Sequence, residues 1–372
     1  MLHTSHDSMT TEAPATIGVK YIGSKAALLT DILAVIEGNT PSDAPRTIID
    51  VFAGTTRVGQ AFRTRGWNVQ SSDLSWASEA YSHAFLIRTA DSAPRIPTLL
   101  AELRAIAPHA GWITTNYAEA PAVADPTTRI CMWKRANGER ADAIRDTIAN
   151  WESTGYINHH EAMILVTCLI IALDRVDSSV GVQQAYLKKW ATRALNDMCL
   201  NDIPIIAGSP ATHTVGDALT NTYASATVAY VDPPYSPHSY ATYYHIWDSI
   251  TRWDKPATAL KTNRRSDRVS GSATFDDAMV SPWNSRRTAA NAFMALVERL
   301  PARYVCVSYN DESLVPLATL ETLLRARWPI TVHSIAYRRN VMCKIGNAAT
   351  TAGPKKEDNT EVLIWIDKSG SP

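Results

Sequence analysis

The stretch from Thr47 to Asp73 constrains the fold more than any other. Thr47–Phe52 is an apolar run rich in β-branched residues, Ala53–Gly54 is a small-residue turn, and a helical stretch continues to Arg65. Gly66 ends that helix, and Trp67–Ser71 reads as a second strand closing on Asp73. Strand, turn, helix and strand in this order form the elementary piece of a parallel sheet. The unit predicts an α/β domain with helices on both faces.

The pattern resumes far downstream, with strands expected at Thr212–Val215, Thr227–Val231, Tyr304–Ser308, Thr331–Ala336 and Glu361–Ile366. A polar, hairpin-like connection, Asn347–Asn359, separates the last two. Between residues 91 and 204 no strands alternate. Prolines 94, 97, 108, 121 and 126 break up the first part, and Asp142–Trp151 and Glu161–Leu173 look helical. This predicts an inserted, largely helical lobe over 91–204 within a discontinuous α/β domain, 17–90 and 205–372. Upstream, Leu28, Leu29, Ile32, Leu33 and Ile36 repeat at helical spacing, and residues 1–16 read as a flexible polar tail.

The length of 372 residues corresponds to roughly 2.5 domain-equivalents, which suits one large domain with an insertion. With 45% apolar and 19% charged residues, long disorder is excluded. The longest nearly apolar run, Ala162–Leu173, is too short to cross a bilayer, and the first fifteen residues carry no secretory signal. A soluble, cytoplasmic protein is expected. The cysteines (131, 168, 199, 306 and 343) are irregularly spaced with no CxxC pair, which argues against a zinc cluster or disulfide framework. No metal is expected.

Lys and Arg total 36 and Asp and Glu 36, so the net charge is zero, which opposes an electrostatic coat for nucleic acid. Locally the balance shifts. From Arg252 to Arg268 six basic residues face two acidic ones. The whole span from Arg252 to Lys344 carries fifteen basic and eight acidic residues, a net of +7. Such a run is either a solvated face or a surface for a polyanion.

Three short motifs could carry chemistry. Asp232-Pro233-Pro234-Tyr235 follows the Thr227–Val231 strand directly. Two prolines fix the backbone and supply no N–H donors, leaving carbonyl acceptors beside a carboxylate and an aromatic plate. That array suits a planar amino group, although a strand ended by a Pro-Pro turn is the plain alternative. Asp50-Val51-Phe52-Ala53-Gly54-Thr55 places small residues at the crevice where nucleotide-like cofactors bind. It lacks GxGxxG spacing, so a nicotinamide cofactor is disfavoured. Asp73, about twenty residues after Phe52, stands where acidic residues meet ribose hydroxyls in doubly wound folds, or where an aspartate caps a helix. Lys20–Lys25 (KYIGSK) is by itself a helix start with Ser24 as cap.

In this order the motifs resemble the alpha-group (Dam-like) site-specific N6-adenine DNA methyltransferases, across nearly the whole chain. The family has an amino-terminal K-[WY]-x-G-x-K segment, a cofactor loop, a target-recognition insertion and D-P-P-Y, matched here by Lys20–Lys25, Asp50–Gly54, the insertion and Asp232–Tyr235. The resemblance implies a Rossmann-like methyltransferase sheet with an inserted target-recognition domain. It implies S-adenosylmethionine as cofactor, held by Tyr21, Lys25, Asp50, Phe52, Ala53, Gly54, Asp73, Asp217 and Asp232, and an adenine gripped by Asp232, Pro233, Pro234 and Tyr235. Thr55-Thr56-Arg57 departs from the family's further glycine or serine, so Thr55 is left out of the site. The partner implied is double-stranded DNA, with a cognate restriction endonuclease acting separately as a further candidate. Residues 252–290 are expected to form a mobile DNA-contacting loop, with Arg264 and Arg265 on phosphates. Lys188 and Lys189, with Arg129, Lys134 and Arg135, are candidate DNA contacts in the insertion. The rival readings are an N4-cytosine methyltransferase, which commonly has serine in place of Asp232, and a catalytically silent DNA-binding module. The recognition sequence and the oligomeric state are not legible.

Overall fold

The computed structural model describes residues 13–119, 132–183, 187, 189–234, 240–259, 263–269, 272–275, 280–310, 313–338 and 358–370. Seven strands form one mixed sheet in the order β3-β2-β1-β4-β5-β7-β6. They are β1 (Thr47–Val51), β2 (Asn68–Asp73), β3 (Ala211–Val215), β4 (Ala226–Val231), β5 (Ala302–Asn310), β6 (Ile330–Arg338) and β7 (Asp358–Asp367). β1 to β5 run parallel, and β7 inserts antiparallel between β5 and β6. The five expected downstream strands are all present, each extended by a few residues at one or both ends. The order reverses between β1 and β4, where Val51 pairs with Ser72 on one side and Val231 on the other. Ligands of open α/β sheets bind beyond the carboxyl ends of the strands at such a switch point.

Alternation along the strands builds a core on each face. Ile48, Val228, Cys306 and Leu363 pack with α1 (Leu29–Asn39) and α2 (Arg57–Thr64). Ile49, Ala229, Val305 and Ile364 point the other way, toward α10 (Ala289–Arg299) and α11 (Leu317–Arg325). Full burial of each such aliphatic side chain contributes about 1.5–3 kcal/mol.

The region 91–204 is helical among its described residues: α4 (Ile96–Ala105), α5 (Trp112–Tyr117), α6 (Arg135–Ser153) and α7 (His159–Arg175). The apolar run Ala162–Leu173 is the buried length of α7. A capping box starts this helix: Asn158 Oδ1 accepts from Glu161 N at 2.9 Å and Glu161 Oε2 accepts from Asn158 N at 3.1 Å. The region has no core of its own. Leu99, Ile144 and Leu165 share one cluster with Ala80 of α3 (Trp76–Ser82) and with Ile246 and Trp247 of α9 (His245–Arg252), which follows the short α8 (Tyr240–Tyr243). Buried Arg145 of α6 donates to the last carbonyls of α9, from Nε to Ile250 O at 2.6 Å and from Nη2 to Thr251 O at 2.9 Å. No described helix is long and apolar enough to cross a membrane.

The expected tail ends earlier than position 16. Residues 1–12 lie outside the described residues, but Thr16 is held by Arg57 Nη1, 2.9 Å from its carbonyl and 3.0 Å from its hydroxyl. Ile17 and Gln60 exchange two hydrogen bonds of 2.8 Å, so α2 itself anchors the segment.

Candidate active site

The carboxyl ends of β1, β2, β3 and β4 open into one cleft, of about 1450 Å³ including its mouth. At the end of β1 the backbone reverses through left-handed conformations at Phe52 (φ 65°), Gly54 (φ 51°) and Thr56 (φ 61°). A bulky residue held there costs on the order of 1–3 kcal/mol, which the surroundings must offset. The reversal turns Phe52 into the cleft, edge-on to Trp283 with ring centres 5.1 Å apart. Asp73, at the end of β2, accepts from Gly54 N and from Ser75 N, both at 2.8 Å, and so ties the two strand ends together. Burial lifts its carboxyl to about 6, against the lowering pull of those N–H groups.

Asp232 follows β4. Lys25 Nζ lies 3.0 Å from Asp232 Oδ1 and 3.0 Å from Glu361 Oε1, with Lys25 only 6% exposed. Ser308 of β5 donates to Glu361 Oε1 at 2.7 Å, which completes a line from the sheet interior to the cleft. Burial raises Asp232 to about 6. Lys25 pulls it down, and Glu361 pushes it up. Lys25 fixes the rotamer of a carboxylate whose other oxygen has no ion pair among the described residues.

Tyr21 covers the loop after β1: a Cβ on Gly54 would meet its ring at 3.5 Å. The ring stacks on Tyr244 at 4.3 Å between centres and on Tyr240 at 5.6 Å. The Tyr244 hydroxyl accepts from Ile22 N at 2.6 Å, so α8 and α9 hold the amino-terminal motif in place. On the far side, Asp248 Oδ1 accepts from Ser75 Oγ at 2.6 Å and Ala77 N at 3.1 Å.

Among the described residues, four carboxylates (Asp73, Asp217, Asp232 and Asp248) line the cleft against one cation, Arg268, between aromatic walls that include Tyr21, Phe52 and Trp283. Such a cleft repels a phosphate-bearing cofactor. It suits a cationic one with a planar base and free ribose hydroxyls, for which Asp73 retains lone pairs after its two backbone bonds. The residues therefore fit S-adenosylmethionine.

The family described as D12 class N6 adenine-specific DNA methyltransferase matches residues 21–296, well over half of the chain. The chain belongs to that family. It is 28% identical over 341 residues to the type II methyltransferase M.FokI of Planomicrobium okeanokoites, covering 86% of this chain and 49% of that protein. It is 26% identical over 367 residues to the modification methylase StsI of Streptococcus sanguinis, covering 94% of this chain and 52% of that protein. It thus spans about half the length of these two relatives. With M.NlaIII of Neisseria lactamica the identity is 27% over 327 residues, and 92% of that protein is covered.

Not every expected site residue of this D12-class chain reaches the cleft. Tyr21, Phe52, Gly54, Asp73, Asp217, Asp232, Pro233 and Pro234 line it. Asp50 does not. It is 2% exposed, and Oδ2 accepts from Gly59 N at 3.0 Å in the first turn of α2. Thr56, the residue before that helix, makes no side-chain cap, so Asp50 takes over the capping role from the strand. Ala53 is likewise not a lining residue; its N–H bonds Ser72 O at 2.9 Å. Lys25 acts through Asp232. Tyr235 and Lys188 lie outside the described residues, while Lys189 is exposed.

The expected phosphate contact through Arg265 is contradicted. This side chain is buried, donates in pairs to Asp254 (3.0 and 2.7 Å) and Asp267 (3.0 and 2.8 Å), and reaches Ser249 Oγ of α9 at 3.0 Å. Its charge is already matched, and it ties this segment to α9; residues 260–262, 270–271 and 276–279 of the expected loop lie outside the described residues. Arg268 is also buried and lines the cleft. Arg264 is half-buried.

Sequence reasoning missed Glu361, Asp248 and Trp283 as site residues. Glu361 opened an expected strand and Asp248 carried no signal of its own, so only their distance to Lys25 and Ser75 in space reveals a role. Trp283 carried no local signal.

Proposed function

We propose that this chain transfers a methyl group from S-adenosylmethionine to the exocyclic amino nitrogen of an adenine turned out of double-stranded DNA at a specific site. The observation that carries this reading is the buried Lys25–Asp232 ion pair, which presents Asp232 to the cleft that Asp73 also lines. When bound, the cofactor supplies a methyl group already activated on a positively charged sulfur. Asp73 would hold the ribose hydroxyls, Asp217 the adenine amino group of the cofactor, and Phe52 and Trp283 its planar base.

The amino nitrogen of the target is a poor nucleophile because its lone pair is delocalised into the ring. Asp232 and the carbonyl of Pro233 accept its two N–H bonds, which favours pyramidal geometry and stabilises positive charge developing on nitrogen. Removal of one well-aimed group of this kind costs about 10²–10³ in rate. Lys25 keeps Asp232 ionised and aimed, and the apolar walls hold water away. Extrusion of the base costs roughly a few kcal/mol, which stacking in the cleft offsets. The name of StsI, a modification methylase, supports the role of a modification enzyme.

The test is product analysis. The purified chain, incubated with DNA and methyl-labelled cofactor, should yield N6-methyldeoxyadenosine after nucleoside digestion. Label in N4-methyldeoxycytidine, or cofactor binding without transfer, would sink the proposal.

A further inference from the structure

A second cluster of ligating groups lies on α3 and α7, away from the residues that line the cleft. Glu79 and His83 are spaced i,i+4, from α3 into the π-helical turn His83–Ile87 that extends it, so they share one face. His159 is the first residue of α7. One ligand atom from each of Glu79, His83 and His159 lies within 4.8 Å of the others.

One set of tautomers satisfies every hydrogen bond around these rings. Ser92 Oγ donates to Thr89 O at 3.3 Å, so it accepts from His160 Nε2 at 3.0 Å. His160 Nδ1 therefore carries a lone pair and accepts from His83 Nδ1–H at 2.8 Å. That leaves His83 Nε2 as a bare lone pair. His159 Nδ1–H donates to Glu152 Oε1 at 2.7 Å, which turns Nε2 of this ring toward Glu79 Oε1 at 3.4 Å. Either a proton on Nε2, shared with the Glu79 carboxylate, or a metal ion in its place satisfies this contact. The separation of 3.4 Å is close to the about 3.3 Å that bonds of about 2.0–2.1 Å to a tetrahedral ion impose on two ligands.

We propose that Glu79, His83 and His159 form a binding site for one divalent transition-metal ion of the zinc type, with water as fourth ligand. Glu152 and His160 orient the two imidazoles from behind, the arrangement that metal-bound histidines commonly show. The ion would clip the start of α7 to the helix whose Ala77 and Tyr81 line the cleft.

The full chain, freed of metal with a chelator and dialysed against micromolar Zn²⁺, should retain one equivalent by elemental analysis. Its thermal midpoint should rise with Zn²⁺, and Co²⁺ in its place should give the visible bands of a four-coordinate site. His159→Ala, an exposed substitution checked for folding by circular dichroism, should lose that equivalent. Glu152→Gln should weaken it about 10- to 100-fold, and Cys199→Ser, which removes an exposed thiol, should keep it. Retention of the equivalent by His159→Ala, or no zinc retained by the wild type, would overturn the proposal and leave a proton as the cation between Glu79 and His159.

Discussion

At the scale of single residues, Asp232 is set by two neighbours that act in opposite directions. Burial raises its pKa most, Lys25 lowers it and Glu361 raises it, and together they leave it at about 6. Acceptance of the amino hydrogens needs the carboxylate, so methyl transfer should increase as pH rises through about 6. Lys25→Ala should move that limb to higher pH and Glu361→Gln to lower pH, read from single-turnover rates across pH. Shifts of the same sign in both variants would refute the arrangement. Asp50 offers a matching test of stability. Its carboxyl is raised to about 7, chiefly by burial, so its ionisation opposes folding. The stability gained by holding it protonated is full below the unfolded value near 4 and is lost as pH rises through about 7. Asp50→Asn keeps an acceptor for Gly59 without the charge. Its thermal midpoint relative to wild type should therefore climb between about pH 4 and about pH 7, whereas a constant difference would mean that Asp50 does not titrate there.

At the scale of elements, strands were more legible than the contacts between them. Ile48, Ile49 and Val51 mark β1 because a strand buried on both faces must be apolar along its length, and Asp73 and Asp232 were readable because they end such runs. The roles of Asp50 and Arg265 were not. Both are polar residues whose partners decide their meaning, and a run with six cations and two anions reads as a solvated face. Here those two anions, Asp254 and Asp267, are the residues that bury Arg265. Arg265→Ala should cost about 2–3 kcal/mol, below the about 3–5 kcal/mol of a fully buried pair because both aspartates remain about a quarter exposed. It should lower the thermal midpoint by several degrees. If Arg264 meets a phosphate, Arg264→Ala should flatten the salt dependence of DNA binding by about one unit and lower the midpoint less than Arg265→Ala. Equal effects of the two substitutions on the midpoint would contradict this division.

At the scale of the whole molecule, the strand ends of the sheet, α8 and α9, and the amino-terminal segment meet around one cleft. The order of motifs along the chain was legible because each occupies a strand end or a helix start. The shared core was not, because nothing local shows that Leu165 of α7 packs in one cluster with Ile246 of α9. The same holds for the metal cluster, whose residues stand 76 positions apart, from His83 to His159. The account turns on Asp232 as the acceptor for an adenine amino group. The most direct test is methylation-sensitive long-read sequencing of DNA from cells that express the wild-type chain or Asp232→Ala. The account predicts N6-methyladenine at one short sequence motif with the wild type and none with the variant, whose folded yield is unchanged. Modified cytosine, or more than a tenth of wild-type adenine methylation in the variant, would contradict it.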